Sequence, residues 1–223
     1  MDVRFVRFDS VLALLRHEHR SRPDAVYAFG FRWAIICRVA RIIGFLGCGD
    51  QRTLLRSAQR GLDVWRRPVH NFFDRSTQFL VDVYVSNSHA AEQMLVERVG
   101  INAARVKVIE GGLSSEWLPT TAARSAIGRS VCKIMLVGNN RPEKAYDDAI
   151  VILAGLNDLS WTATIFADTT ESIGELVQFH GLEELVGVVQ GRRLEPTDYD
   201  EFDVFLHCAW SESYPRAVLE AHA

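Results

Sequence analysis

His207-Cys-Ala-Trp-Ser-Glu-Ser-Tyr-Pro-Arg-Ala-Val-Leu-Glu-Ala-His-Ala223 is the stretch around which the rest of the chain makes most sense. Pro215 suits the first turn of a helix, where the N–H it lacks would go unpaired anyway, so a helix starts near Tyr214 or Pro215. Glu212 then sits in the turn before the helix, and Glu220 inside it among Ala217, Val218, Leu219 and Ala221. At about 1.5 Å per residue the run from Pro215 to Glu220 covers roughly 8 Å, so two carboxylates flank one helix N-terminus. Such a terminus attracts phosphate, and a carboxylate set along the helix accepts hydrogen bonds from hydroxyls.

A second stretch, Val137-Gly-Asn-Asn-Arg-Pro-Glu-Lys144, asks for an anion on its own. A strand ends at Gly138, where the missing Cβ lets a ligand approach the backbone. Asn140 or Arg141 caps the following helix, Pro142 lies in its first turn, and Glu143 is third if Asn140 is the cap. Arg141 and Lys144 stand at the positive end of that helix, where an exposed cation is disfavoured by about 0.3–1 kcal/mol. A diphosphate bound by backbone N–H groups and the Lys144 ammonium answers that need. The plainer reading pairs Lys144 with Glu143 or Asp147 at the surface.

Together these segments carry a resemblance. Residues 212–220 resemble the E-x7-E motif of retaining GT-B glycosyltransferases of family 4, and residues 137–144 resemble that family's G-R-x-x-x-E-K segment at the expected distance upstream. An isolated pair of Glu at this spacing occurs by chance in most proteins; two segments in the right order are far more specific. Asn139 stands where the family has Arg, with Arg141 as a substitute if the loop folds back, and Ala145 stands where the family has Gly. The resemblance covers 79–223 well, 20–45 loosely and 46–78 hardly at all. It implies an α/β fold, GT-B-like, with two Rossmann-like parallel-sheet domains facing across a cleft, both incomplete in this chain. The expected division is 1–113 for a partial acceptor-side domain, 114–130 for a linker and 131–223 for a partial nucleotide-sugar domain. The chain then reads as the middle of a larger enzyme or a diverged short version.

Composition agrees with a globular chain: of 223 residues, 48% are hydrophobic and 24% charged, the formal charge is −3 and the sequence pI about 6.2. Nothing there calls for nucleic acid. Cys37, Cys48, Cys132 and Cys208 show neither C-x-x-C pairing nor zinc spacing and read as buried free thiols, which suits a cytoplasmic location. The N-terminus lacks the apolar core of a signal peptide. Residues 33–48 are too interrupted by Arg38 and Arg41 to span a bilayer. A basic amphipathic helix there, with Arg32, Arg38 and Arg41 beside Ile35, Ile36, Val39, Ile42 and Ile43, is compatible with peripheral membrane contact or with ordinary packing.

In chain order, the pattern predicts a strand at 3–8, a helix at 9–20, a strand at 25–29 closed by Gly30, and a helix at 31–44. Residues 51–79, with Arg52, Arg56, Arg60, Arg66 and Arg67, read as one helix or two broken near Pro68, its basic face solvated or turned to phosphate or anionic lipid. A strand at 79–85, a helix from Ser86 or Ser88 to Arg98 ended by Gly100, and a strand at 105–109 before Gly111-Gly112 follow. After the linker come strand 132–137, helix 142–156, strand 161–166, helix 171–180, strand 186–190, a short helix at 197–201, strand 203–207 and the final helix. That alternation is Rossmann-like.

The resemblance implies the roles. Glu220 bonds the nucleotide ribose, Glu212 contacts the transferred sugar, and backbone N–H groups of Ser213 and Tyr214 reach the sugar or distal phosphate. Gly138, Asn139, Arg141 and Lys144 hold the diphosphate, with Glu212 and Lys144 as the catalytic pair. Their plainer roles are a capping Glu212 and a solvent-facing Glu220. Helix termini and cations stabilise the leaving diphosphate, so no obligatory metal or cofactor is expected, and no D-x-D motif is present. The partners implied are a nucleotide-diphosphate sugar and a glycan, lipid or small-molecule acceptor. On the acceptor side His89 starts a helix and lines the cleft or simply fills a first turn. His17 and His19 face different ways on their helix, and His207 and Cys208 close a strand where packing is the ordinary role. Two other readings stand: a non-catalytic nucleotide-sugar-binding module, and a dinucleotide oxidoreductase, the latter disfavoured because no G-x-G-x-x-G follows any predicted strand.

Overall fold

The computed structural model describes residues 24–42, 53–59, 61–117 and 130–223. The expected strand at 3–8, helix at 9–20, His17, His19, Cys48, Arg52, Arg60 and most of the linker lie outside them. The chain forms two compact units, Met1–Gly111 and Gly112–Ala223.

The first unit holds β1 (Ala25–Phe29), α1 (Phe31–Ile42), β2 (Leu54–Gln59), α2 (Pro68–Ser76), β3 (Val83–Ser86), α3 (His89–Gln93, continued as a π-helical turn to Val99) and β4 (Val106–Val108). Its four strands lie side by side in sequence order, all parallel. Ser88 caps α3 by accepting a hydrogen bond from the Ala91 amide, and Gly100 ends the helix at φ +83, a conformation that costs a side-chain-free residue little. Leu55, Tyr84, Leu95, Ile101 and the small residues Ala34, Cys37 and Ala40 form its core.

Three expectations about this unit are corrected. Residues 54–59, read as helical from Leu, Arg and Gln, are an inner strand: Leu55 pairs with Val26 of β1, and Arg56 with Val83 of β3. Pairing on both edges overrides the local helix preference of Leu-Leu-Arg-Ser-Ala-Gln. The strand expected at 79–85 begins later, after a 3-10 turn at Gln78–Leu80. Of the basic face of α1, Arg38 and Arg41 are turned inward while Arg32 is exposed. Arg38, 1% exposed, donates to Asp74, Tyr84 and Thr77, while Arg41 pairs with Asp82 and donates to the Leu80 and Thr53 carbonyls. Arg66 is likewise buried, bridging Asp63 and Asp74. Buried guanidiniums need such partners, and although the Nε of Arg38 is left without one, Arg38, Arg41 and Arg66 hold the unit together.

The second unit holds β5 (Cys132–Val137), a 3-10 turn (Pro142–Lys144), α4 (Tyr146–Ala154), β6 (Trp161–Ala167), α5 (Glu171–Phe179), β7 (Val186–Gln190), α6 (Pro196–Tyr199), β8 (Val204–Phe205) and α7 (Arg216–His222). Its parallel sheet has the order β7-β6-β5-β8. Ile134, Ala149, Ile150, Leu153, Ile165 and Ile173 fill one side of the sheet, and Trp117, Met135, Phe166 and Tyr199 cluster on the other. Trp117 thus packs with this unit although it precedes the sheet. The helix expected at 142–156 is broken: after the 3-10 turn, Ala145 takes φ +50, and the α-helix begins only at Tyr146. Among the described residues no helix is long and apolar enough to cross a membrane.

Candidate functional site

The order of the second sheet decides where a site can form. From β5 the chain steps to β6 and β7 on one side, then returns to place β8 on the other. At such a switch point the loops leaving neighbouring strands part, opening a crevice at the carboxyl ends. The loops concerned are 138–145 after β5 and 206–215 after β8, the two stretches that the sequence singles out.

The structure brings them together. Lys144 Nζ donates to Glu212 Oε2 in an ion pair whose side chains are 19% and 26% exposed. The Trp210 indole donates to the Pro142 carbonyl at 3.0 Å, and its backbone N–H to the Glu143 carbonyl at 3.1 Å. A pocket between the strand ends is lined by Val137, Lys144, Tyr146, Leu206, His207 and Cys208, among others. Neither plainer role of Lys144 and Glu212 holds: Lys144 takes neither Glu143 nor Asp147 as its ion-pair partner, and the Glu212 carboxylate reaches across the crevice instead of capping α7.

His207 stands beside the pair. Its imidazole stacks on Phe205 at 6.2 Å, and its Nε2 is buried without a hydrogen-bond partner, 4.0 Å from Glu212 Oε2. Burial, then the Lys144 charge, lowers its pKa against the opposing pull of Glu212. Burial chiefly, with Asp148 adding to it, raises the Cys208 thiol.

Glu220 is not solvent-facing. Its Oε2 accepts from the Tyr199 hydroxyl at 3.1 Å and its Oε1 pairs with Arg216 Nε at 3.0 Å, leaving the side chain 14% exposed. Burial, with Glu220 second, pushes the Tyr199 hydroxyl well above the usual phenol range, so it stays a donor. A carboxylate has about four lone-pair positions, so these partners leave room for further hydroxyls. Tyr199 stacks on Phe205 at 6.2 Å, and Phe205 on His207, so a row of rings links Glu220 to the Lys144–Glu212 pair.

The neighbourhood of Gly138 differs from expectation. A Cβ there would meet the Tyr146 hydroxyl at 3.2 Å and the Lys144 stem at 3.3 Å, so this protein's own side chains occupy the space beside the backbone. Tyr146 donates to the Gly138 carbonyl at 2.8 Å. The helix α4 starts only at Tyr146, with Asp147 and Asp148 in its first turn, which supply the acidic groups that the helix dipole favours. Lys144 precedes that helix and its charge is met by Glu212. Asn139 and Arg141 are exposed, and Arg141 occupies the cap position of the 3-10 turn. Asn140 ties the loop down, donating its amide to Asp168 Oδ1 at 2.6 Å and its side chain to Ser172 at 2.8 Å. Ser213 and Tyr214 lie half-buried in the turn before α7, whose cap is Pro215.

His89, in the first unit, is 75% exposed at its side chain and bonds Glu92 at 2.9 Å. The residues that sequence reasoning passed over are Trp210, Tyr146, Tyr199, Asp168 and the orphaned nitrogen of His207. Trp210, Tyr199 and Asp168 act on partners 21 or more residues away, which no local pattern marks. Among the described residues no three His, Cys, Asp or Glu side chains gather as metal ligands would.

No protein-family model matches the chain, and no curated protein sequence matches it either. Solved structures do match its fold. Anabaena Alr3699/HepE in complex with UDP and glucose superposes with a TM-score of 0.72 at 18% identity, over 95% of this chain and 59% of that one. A Rickettsia africae glycosyltransferase gives 0.70 at 15% identity over 95% and 58%. The lipopolysaccharide outer core galactosyltransferase WaaB gives 0.63 at 17% over 95% and 57%. The chain is thus built of two parallel-sheet α/β units matching those of GT-B glycosyltransferases, and it spans less than three fifths of the length of each of these three.

Proposed function

We propose that the second unit binds the nucleotide-diphosphate sugar of a retaining, family 4 type glycosyltransferase, which moves the sugar to an acceptor hydroxyl. The observation that supports this most is the convergence of residues 138–144 and 207–220 at the switch point of one parallel sheet, locked by the Lys144–Glu212 pair and the Trp210 bonds. Solved structures of this fold include complexes with UDP and with UDP-glucose, which agrees with the reading.

In the proposed reaction the Lys144 ammonium exchanges the Glu212 carboxylate for diphosphate oxygens, where a charge-assisted hydrogen bond holds the leaving group. Glu212, released, turns to the hydroxyls of the transferred sugar. Glu220 accepts from the ribose, steadied by Tyr199, and the backbone N–H groups near Ser213 and Tyr214 face the sugar or distal phosphate. Arg141, exposed on the loop, supplies a second cation to the phosphates, with Gly138 and Asn139 forming the loop floor. No metal or cofactor takes part in this scheme. The acceptor, whether glycan, lipid or small molecule, belongs to the first unit, with His89 at the start of α3 as a candidate contact. The work takes place in the cytoplasm.

A second reading, a module that binds nucleotide sugar without turning it over, is favoured by one observation. The space over Gly138 is filled by Lys144 and Tyr146, and Asn139 replaces the arginine of the resembled motif. Release of labelled sugar from UDP- and GDP-sugar donors distinguishes the two. Release that disappears in Lys144→Met supports the enzyme, and nucleotide binding with no release by the unaltered chain supports the module.

A further inference from the structure

Helix α2 is turned inside out. Its inward side is charged: Asp74, 2% exposed, holds Arg38 and Arg66. Val69, Phe72, Phe73 and Ser76 follow the i, i+3, i+4, i+7 spacing of a single helical face. That face points outward, with Val69 64%, Phe72 72% and Phe73 40% exposed. Trp65 before the helix and Phe79 after it are 54% and 63% exposed. A surface helix ordinarily shows the reverse, and while scattered exposed apolar residues are normal, a contiguous set marks a contact surface.

Within the segment itself the exposed charge is of one sign. Between residues 64 and 79 the only acid is Asp74, which is buried and paired, whereas Arg67 and Arg75 are exposed and make no ion pair among the described residues. The face also lacks hydrogen-bonding groups to offer. Ser76 donates its hydroxyl to the Phe72 carbonyl at 2.7 Å, and Val69, Phe72, Phe73 and Phe79 have none. A protein partner typically forms about one hydrogen bond per 100–200 Å² of interface, whereas acyl chains ask for none. Phenylalanines backed by arginines are what an in-plane helix presents to the boundary of headgroups and acyl chains.

We propose that residues 64–79 dock the chain on an anionic lipid bilayer, with Phe72, Phe73 and Phe79 entering the acyl boundary and Arg67 and Arg75 meeting the headgroup phosphates. This places the membrane contact on α2 in addition to the expectation for residues 33–48, where Arg38 and Arg41 are paired inside the unit and Arg32 is exposed.

The test is sedimentation of the full chain with vesicles of phosphatidylcholine, with and without phosphatidylglycerol. No nucleotide is needed, so the result is independent of the proposed activity. The chain is expected to sediment with the anionic vesicles, to stay in solution with phosphatidylcholine alone, and to be released by salt. Phe72→Ser and Arg67→Glu each weaken binding about tenfold or more, with circular dichroism unchanged because both residues are exposed. Failure of the unaltered chain to sediment with anionic vesicles overturns the proposal, as does full binding by Phe72→Ser. Lipid-free dimers that Phe72→Ser disperses would also overturn it, assigning the face to a second copy of the chain.

Discussion

Lys144 and Glu212, separated by 68 positions in the chain, close one ion pair across the mouth of a crevice between β5 and β8. The pair joins the two segments that the sequence marks as anion-seeking and hydroxyl-seeking. With both side chains about three-quarters buried or more, it is not a screened surface contact.

Removing either member leaves a largely buried charge alone. Lys144→Met and Glu212→Gln are each expected to cost about 1–2 kcal/mol in chemical denaturation. The double variant should recover part of that loss, with a coupling on the order of 1 kcal/mol. Strict additivity would mean that the two side chains act separately.

His207 makes the site sensitive to acid. Its folded pKa lies below its unfolded value because of burial and the Lys144 charge, so the unfolded chain takes up a proton more readily. The stability linked to this group is complete above the unfolded histidine pKa, about 6.5, and is lost as the pH falls through the folded value. Melting temperature should therefore drop more steeply between pH 7 and pH 5 for the unaltered chain than for His207→Gln. Parallel curves would remove His207 from the account.

Asp74 holds the first unit closed through Arg38, Arg66 and the Tyr84 hydroxyl. Asp74→Asn deprives Arg38 of its carboxylate and leaves Arg66 with Asp63 alone, a loss of about 3–5 kcal/mol expected from denaturant unfolding. A loss under about 1 kcal/mol would show the network to be dispensable.

Legibility from sequence varied with how local the deciding interaction is. In the second unit, β5 and β7 occupy the residues expected, because short apolar runs between turn residues are self-contained signals. In the first, β2 is built of helix-favouring residues and becomes a strand only through pairing with β1 and β3. As ion-pair partners of Lys144 the plain reading of the sequence names the neighbours Glu143 and Asp147, whereas the return of β8 beside β5 supplies Glu212. The apolar spacing of α2 identifies a face without stating which way it turns. That direction is set by Arg38 and Arg66 drawing Asp74 inward. The φ of Ala145, which splits the expected helix, is marked only by the glycine that the resembled motif has at that place.

The measurement that bears most directly on the central claim is calorimetric titration of the chain with UDP, GDP and NAD. The account predicts saturable binding of a nucleoside diphosphate, no binding of NAD, and a loss of about tenfold or more in both Lys144→Met and Glu220→Ala. Diphosphate affinity unchanged in both variants, or binding of NAD in its place, would contradict it.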